Sequence, residues 1–357
     1  MNSFAAPDLR ILVGSQVLQK GMKLVGQSGL NYLLTDNLAD FERNVWIAKD
    51  AYSKSPSWFI VKQPKWPYAN KAVSWAAGLR RFEQEVKMNK IFKGAKFIRQ
   101  QVDTIKPTSQ DDPPRVVLEA MWDSIWRVGR ASMFTRQEVK AIMKTTLQAL
   151  QEVEQKDFMH ADLNMDDMFI NAKTLDRCDP AQFIAKIANP ISLVRPNRVY
   201  EPKKLIAHPN NAHEILFGKP AGFPAHIWTW GIIFCHLLES RSAWMCDRAD
   251  SMDGDRLLEG RLDYQSLFEG RDKVRDKLTA GFNLKQCEYY ADCDLPKQSP
   301  HEYPGWKEHL IKKGLRDDDI CFLDWVLDPN PETRPTSEQI MQSGFLEWSE
   351  EEREEDP

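Results

Sequence analysis

The chain has 357 residues, 42% of them hydrophobic and 28% charged, with 48 Lys and Arg against 52 Asp and Glu. That length builds one large or two medium globular domains, and the composition excludes a mainly disordered, collagen-like or disulfide-stapled chain. The net charge of -4 is concentrated in the final SEEEREEDP, which carries six acids and one base, and the near-neutral remainder gives no electrostatic case for nucleic acid or an anionic membrane as partner.

The six cysteines form no CxxC pair and no metal-ligand spacing, and MNSFAAPDLR has no basic segment leading into an apolar run. Free thiols in an intracellular protein, cytoplasmic or nuclear, are therefore predicted. The most apolar stretch, residues 227–238 (IWTWGIIFCHLL), is too short to span a bilayer and suits a buried helix.

In chain order, NYLLTD, NVWIAKDAY and WFIVKQ read as β-rich runs broken by NLADFER and SKSPS. WAAGLRRFEQEVKMNKIF, with Phe82, Val86, Met88 and Ile91, reads as an imperfect amphipathic helix. FIRQQVDTI and RVVLEAM add two strands around the breaker-rich KPTSQDDPP. From about residue 135 helices take over. TRQEVKAIMKTTLQALQEVEQ keeps Val139, Ile142, Met143, Leu147 and Leu150 in helical register, with Thr135 as N-cap. Further helices are predicted at 226–239, 304–313, around DDDICFLDWVL and at SEQIMQS.

MHADLNMDDMFI, residues 159–170, resembles the catalytic loop of protein kinases, His-Arg-Asp-Leu-Lys-x-x-Asn before an apolar strand. His160, Asp162 and Leu163 match; Ala161, Asn164 and Asp167 replace Arg, Lys and Asn. Other matches follow in the family's order. WFIVK places Lys62 at the end of a strand, like the lysine that holds the nucleotide's α and β phosphates. Glu85 resembles its ion-pair partner; Glu83 is the rival on the same helix, and the Val86, Met88, Ile91 pattern favours Glu85. RVVLEAM resembles the adenine-docking strand and hinge, with Leu118 as gatekeeper and Glu119 to Met121 as hinge. AHEILFG and the apolar stretch at 227–239 resemble the segments that follow the activation loop, and DWVLDPNPETRPTSEQI the C-terminal arginine motif, with Arg334 expected to pair with Glu214.

The resemblance implies an α+β, bilobal protein-kinase fold over roughly residues 31–346. Its parts would be an N-terminal extension (1–30), a small β-rich lobe with one main helix and the hinge (31–122), a large helical lobe (123–348) with an insertion at about 240–305, and an acidic tail (349–357). It also implies ATP with Mg²⁺ or Mn²⁺, and a protein substrate or protein partner. Asp162 and Lys62 would be the catalytic groups. Lys62, Glu85, Leu38, Val45, Leu118, Glu119 and Met121 would bind the nucleotide.

Several positions depart from the family pattern. Aligning AKIANPIS through its strand puts Asn189, Pro190 and Ile191 where the family has Asp-Phe-Gly, while the loop-closing Asn is Asp167. One carboxylate and one carboxamide are thereby retained on exchanged segments. Mg²⁺ takes hard oxygen ligands of both kinds, so Asp167 and Asn189 are the predicted metal ligands; the other reading is drift after loss of catalysis, with Asp167 a solvated loop acid. NLADFERNVWIA contains no glycine where the family places a glycine-rich loop, and Asp40 and Glu42 would add like charge near a polyphosphate. LIAHPNNAHE has no hydroxyl residue for regulatory phosphorylation; Ser192 and Tyr200 are the phosphorylatable groups between Asn189 and Glu214. His226 stands where the family has a buried Asp that accepts hydrogen bonds from the catalytic loop, and one neutral imidazole nitrogen can accept such a bond. Two functions are compatible with this pattern: a divergent Ser/Thr-type protein kinase with rearranged metal ligands, or a pseudokinase acting as scaffold or allosteric partner.

Overall fold

The computed structural model describes residues 18–38, 44–53, 57–64, 72–109, 112–121, 123–131, 134–171, 183–199, 210–246, 276, 279, 281–295 and 306–347. Asp40, Glu42, Tyr200, the acidic tail and most of the segment predicted as an insertion lie outside the described residues. The described chain divides into two compact units, one running to Met121 and including Asn189–Ile191, the other made of the remainder.

The first unit is a six-stranded sheet with one long helix. Its strands are β1 (Lys23–Val25), β2 (Asn31–Asn37), β3 (Val45–Asp50), β4 (Trp58–Lys62), β5 (Gln101–Ile105) and β6 (Arg115–Glu119), and its helix is α1 (Ala72–Ile91). The sheet order is β1-β2-β3-β4-β6-β5, and all of its pairs are antiparallel. β1 precedes the first strand predicted from sequence. Three residues are too few to show alternation, and the strand forms because Gly29, at φ +88°, closes a tight turn onto β2.

Strand alternation divides the core of this unit. Tyr32, Leu34, Trp46, Ala48, Val61 and Val117 pack on one face, and Ile60, Val116, Leu118 and the helix residue Phe82 form a separate cluster. Because β-strand side chains repeat every two residues, Lys62 points to the same side as Ile60. It thus faces α1, where Phe82 and Glu85 are one turn apart.

The second unit begins with β7 (Asp123–Ser124) and the short α2 (Ile125–Ala131), followed by α3 (Arg136–Glu154). Thr135 caps α3 as its sequence predicts. Its side chain accepts from the Glu138 N–H at 3.1 Å, and Glu138 Oε2 accepts from the Thr135 N–H at 2.8 Å. The predicted apolar stripe of α3, Val139 to Leu150, is fully buried.

After α3 come four short strands, β8 (Met159–His160), β9 (Met168–Ile170), β10 (Ala185–Ile187) and β11 (Leu193–Val194). β12 (Arg198–Val199), α4 (His213–Leu216) and β13 (Pro220–Ala221) lead into α5 (Phe223–Cys246). α5 is longer than the predicted 226–239: it begins three residues earlier, and it runs past the continuous apolar run through the mixed segment ESRSAWMC, whose polar residues at 239–242 interrupt that run. Trp228 and Trp230 on α5 are fully buried, and Trp230 Nε1–H donates to the Met143 carbonyl of α3 at 3.0 Å. α6 (Trp306–Lys312), α7 (Asp317–Val326) and α8 (Ser337–Gln342) complete the unit. Arg136 at the start of α3 grips Asp319 at 2.7 Å and Asp318 at 3.0 Å on α7. No described helix is long and apolar enough to cross a membrane.

Candidate active site

In the first unit Lys62 Nζ is 2.8 Å from the Glu85 carboxylate, whereas Glu83 is exposed. Glu85 is 5% exposed and Lys62 27%, so the acid is the buried partner and the lysine keeps solvent access. The Arg99 guanidinium is also buried; burial pulls its pKa down to about 10 against the opposing influence of Glu85 and Glu119. Arg99 Nε–H donates to the Glu119 carbonyl at 3.0 Å, and the Gln100 N–H to the Glu119 carboxylate at 2.8 Å. These bonds brace the segment predicted as hinge.

A cavity of about 440 Å³ opens beside the ion pair, lined among others by Asn44, Val45, Lys62, Arg81, Glu85 and Asn189. Two cations and one anion line it, which favours an anionic ligand such as a polyphosphate. Leu38, Leu118, Glu119 and Met121 do not line it. Leu118 is buried in the α1-facing cluster, Leu38 is exposed, and Glu119 and Met121 are half-buried.

The second unit carries the His160-Ala161-Asp162 segment. β8 pairs antiparallel with β11, matching Leu193 to His160, and the Ala161 N–H donates to the Ser192 carbonyl at 3.0 Å. Asp162 is exposed. A 3₁₀ turn over Met165–Asp167 then leads into β9, with Asn164 as its N-cap. Asn164 Oδ1 accepts from the Asp166 and Asp167 N–H groups at 3.0 and 3.1 Å, and Asn164 Nδ2 donates to Asp167 Oδ2 at 2.7 Å and the Asp162 carbonyl at 3.3 Å. Asp167 is buried, and its carbonyl accepts from the Ala188 N–H at 2.7 Å.

His226, fully buried in α5, accepts the His160 N–H at Nδ1 (3.3 Å), as its sequence position predicts. The other ring nitrogen lies 2.7 Å from Glu154 Oε1, and Glu154 Oε2 accepts from the Ser337 hydroxyl at 2.7 Å. No local sequence pattern marks Glu154, 72 residues upstream of His226, or Ser337, which bonds Glu154 from α8. Asn164 escapes as a cap for another reason: the family comparison marks it only as a missing lysine, although Asn before a short turn is an N-cap signal.

Arg334 pairs with Glu214 at 2.8 Å with both side chains buried, and also donates to the Pro224 carbonyl at 2.6 Å. The Trp228 ring lies 5.1 Å from its guanidinium. This pair fixes the start of α4 to the C-terminal motif.

Mg²⁺ binds through one or two carboxylates and completes its octahedron with water and phosphate. The Asp167 carboxylate, in the second unit, and the Asn189 carboxamide, in the first, are each an oxygen donor of the kind that Mg²⁺ takes. Among the described residues no group of three or more His, Cys, Asp or Glu is gathered for a metal, and a nucleotide-assisted Mg²⁺ site does not need one.

A strand lysine ion-paired to a helix glutamate, a His-x-Asp loop and a buried Arg-Glu tie are the marks of the protein-kinase fold. Residues 61–346 match the protein kinase domain, and the chain belongs to the protein kinase family. Members of this family generally use ATP and Mg²⁺. No curated protein matches the chain.

Proposed function

We propose that the protein is a divergent protein kinase that binds ATP and transfers its γ-phosphoryl group to a Ser or Thr hydroxyl of a protein substrate. The observation that carries this reading is the formed Lys62–Glu85 ion pair, which lines the same cavity as Asn189. In this reading Lys62 binds the α and β phosphates and Glu85 holds Lys62 in place. Glu119 to Met121 hold adenine behind the gatekeeper Leu118, and Leu38 and Val45 pack over the ring. Asp162 orients the acceptor hydroxyl and takes its proton as the new P–O bond forms and the bond to the β-phosphate oxygen breaks. Asp167 and Asn189 hold Mg²⁺ or Mn²⁺, which when bound neutralises the phosphate charge.

One observation favours a second reading, a pseudokinase that binds a partner protein without transfer. Where the family has a lysine, Asn164 is uncharged and its carboxamide is engaged in bonds within its own loop, so this position supplies neither a cation nor a free donor to the transferred phosphate.

Thermal denaturation with ATP, with and without Mg²⁺ or Mn²⁺, tests the nucleotide site. A ligand at 100 times its Kd adds about 2.7 kcal/mol to apparent stability. A metal-enhanced rise in Tm, lost in Lys62→Ala, is expected; a flat response at millimolar nucleotide removes the enzyme reading.

A further inference from the structure

We infer that Asn164 is a positioning residue that orients the Asp167 carboxylate toward a divalent cation and braces the Asp162 backbone at the same time. The inference rests on the reading of Asp167 as a metal ligand, and adds to it the group that aims that ligand.

The orientation of the carboxamide follows from its neighbours. Its oxygen faces two backbone N–H groups, those of Asp166 and Asp167. Turning the amide over would set its NH₂ against both donors, so chemistry selects the observed orientation. With the oxygen fixed there, the nitrogen is directed at Asp167 Oδ2 (2.7 Å) and at the Asp162 carbonyl (3.3 Å). One planar group therefore ties the residue read as phosphoryl-acceptor base to the residue read as metal ligand.

Asp167 is fixed at several atoms. Its N–H donates to Asn164, its carbonyl accepts from Ala188, and its Oδ2 accepts from Asn164. A short amide bond to one carboxylate oxygen sets the plane of the carboxylate, as outer-shell partners do at metal sites. A lysine at 164 would supply a cation but neither cap the turn nor present this acceptor and donor pair. The residue type at 164 thus matches the presence of an acid at 167.

The test measures Mn²⁺ affinity of the ATP-loaded full chain by electron paramagnetic resonance, for wild type, Asn164→Ser and Asp167→Ala. ATP affinity in EDTA and apo Tm are followed in parallel. Serine keeps an N-cap acceptor but is too short to donate to the Asp167 carboxylate, so the fold is retained. The expected result is a loss of Mn²⁺ affinity of about 10- to 100-fold in Asn164→Ser, approaching that of Asp167→Ala, with ATP affinity in EDTA unchanged. If Asp167→Ala weakens Mn²⁺ binding and Asn164→Ser does not, the positioning role is overturned and the metal reading stands. If Asp167→Ala leaves Mn²⁺ affinity unchanged, the metal reading and the positioning role fall together.

Discussion

His226 Nε2 lies 2.7 Å from Glu154 Oε1, while Nδ1 of the same ring accepts the backbone N–H of His160 at 3.3 Å. The acceptor role of Nδ1 requires the tautomer with hydrogen on Nε2, and Glu154 is the acceptor that selects it. A single neutral side chain thus connects the catalytic-type loop to α3, and the Glu154 carboxylate it meets there bonds Ser337 of α8 in turn.

The pair predicts how the family's own residue behaves here. His226→Asp sets a second carboxylate against Glu154 in a buried site and lowers stability by about 1–3 kcal/mol. Adding Glu154→Gln removes the like charge and supplies a donor. A double-mutant cycle in urea therefore shows favourable coupling of about 0.5–3 kcal/mol; additive losses would contradict it.

Removing either member of the Lys62–Glu85 pair has unequal consequences. Lys62→Met leaves the carboxylate, the more buried group, without its closest cation and costs about 1–2 kcal/mol. Glu85→Gln leaves a partly solvated lysine and costs less. Urea midpoints of the two variants check this order.

Arg334 donates to the Glu214 carboxylate through both terminal nitrogens and to three backbone carbonyls, those of Pro224, Asp328 and Pro329. A lysine has one nitrogen and cannot reproduce the fork. Arg334→Lys is expected to lose about 3–5 kcal/mol, since Glu214 stays buried and poorly paired. Equilibrium denaturation reads the loss directly.

Burial pushes the Asp103 carboxyl up, but hydrogen bonds from Ser28, Thr104 and Tyr32 outweigh it and hold the group below its ordinary value. The unfolded chain therefore takes up the proton first on acidification. The stabilisation is complete above about pH 5 and is lost as the pH falls through the unfolded and then the folded value. Asp103→Asn is less stable than wild type at pH 7, and its stability changes less on acidification below about pH 5. Gly26→Ala disturbs the same network, because a Cβ there would collide with Asp103 Oδ2.

Much of this fold is legible along the chain because its signals are local. The stripe from Val139 to Leu150, the Thr135 cap and the alternation that puts Lys62 beside Ile60 all follow from periods of 3.6 and 2. β1 and α2 are too short to carry a period, and α5 outruns its apolar signal. At the candidate site, Lys62, Glu85, Asp162 and Arg334 stand out because family motifs mark them. Asn164, Glu154 and Ser337 do not, since their roles arise from hydrogen bonds within a loop or between distant helices. Leu38, Glu119 and Met121 belong to the nucleotide reading by motif alone, as the cavity beside Lys62 is lined by other residues.

The central claim, phosphoryl transfer by a kinase with an acid at 167 and an amide at 189, is tested most directly by following label from γ-labelled ATP to a generic basic protein in Mg²⁺ or Mn²⁺. Wild type and Asp162→Asn are compared at equal concentration. Metal-dependent labelling is expected in wild type, falling by about 100-fold or more in Asp162→Asn. No labelling by wild type that binds ATP, or equal labelling by both proteins, would contradict it.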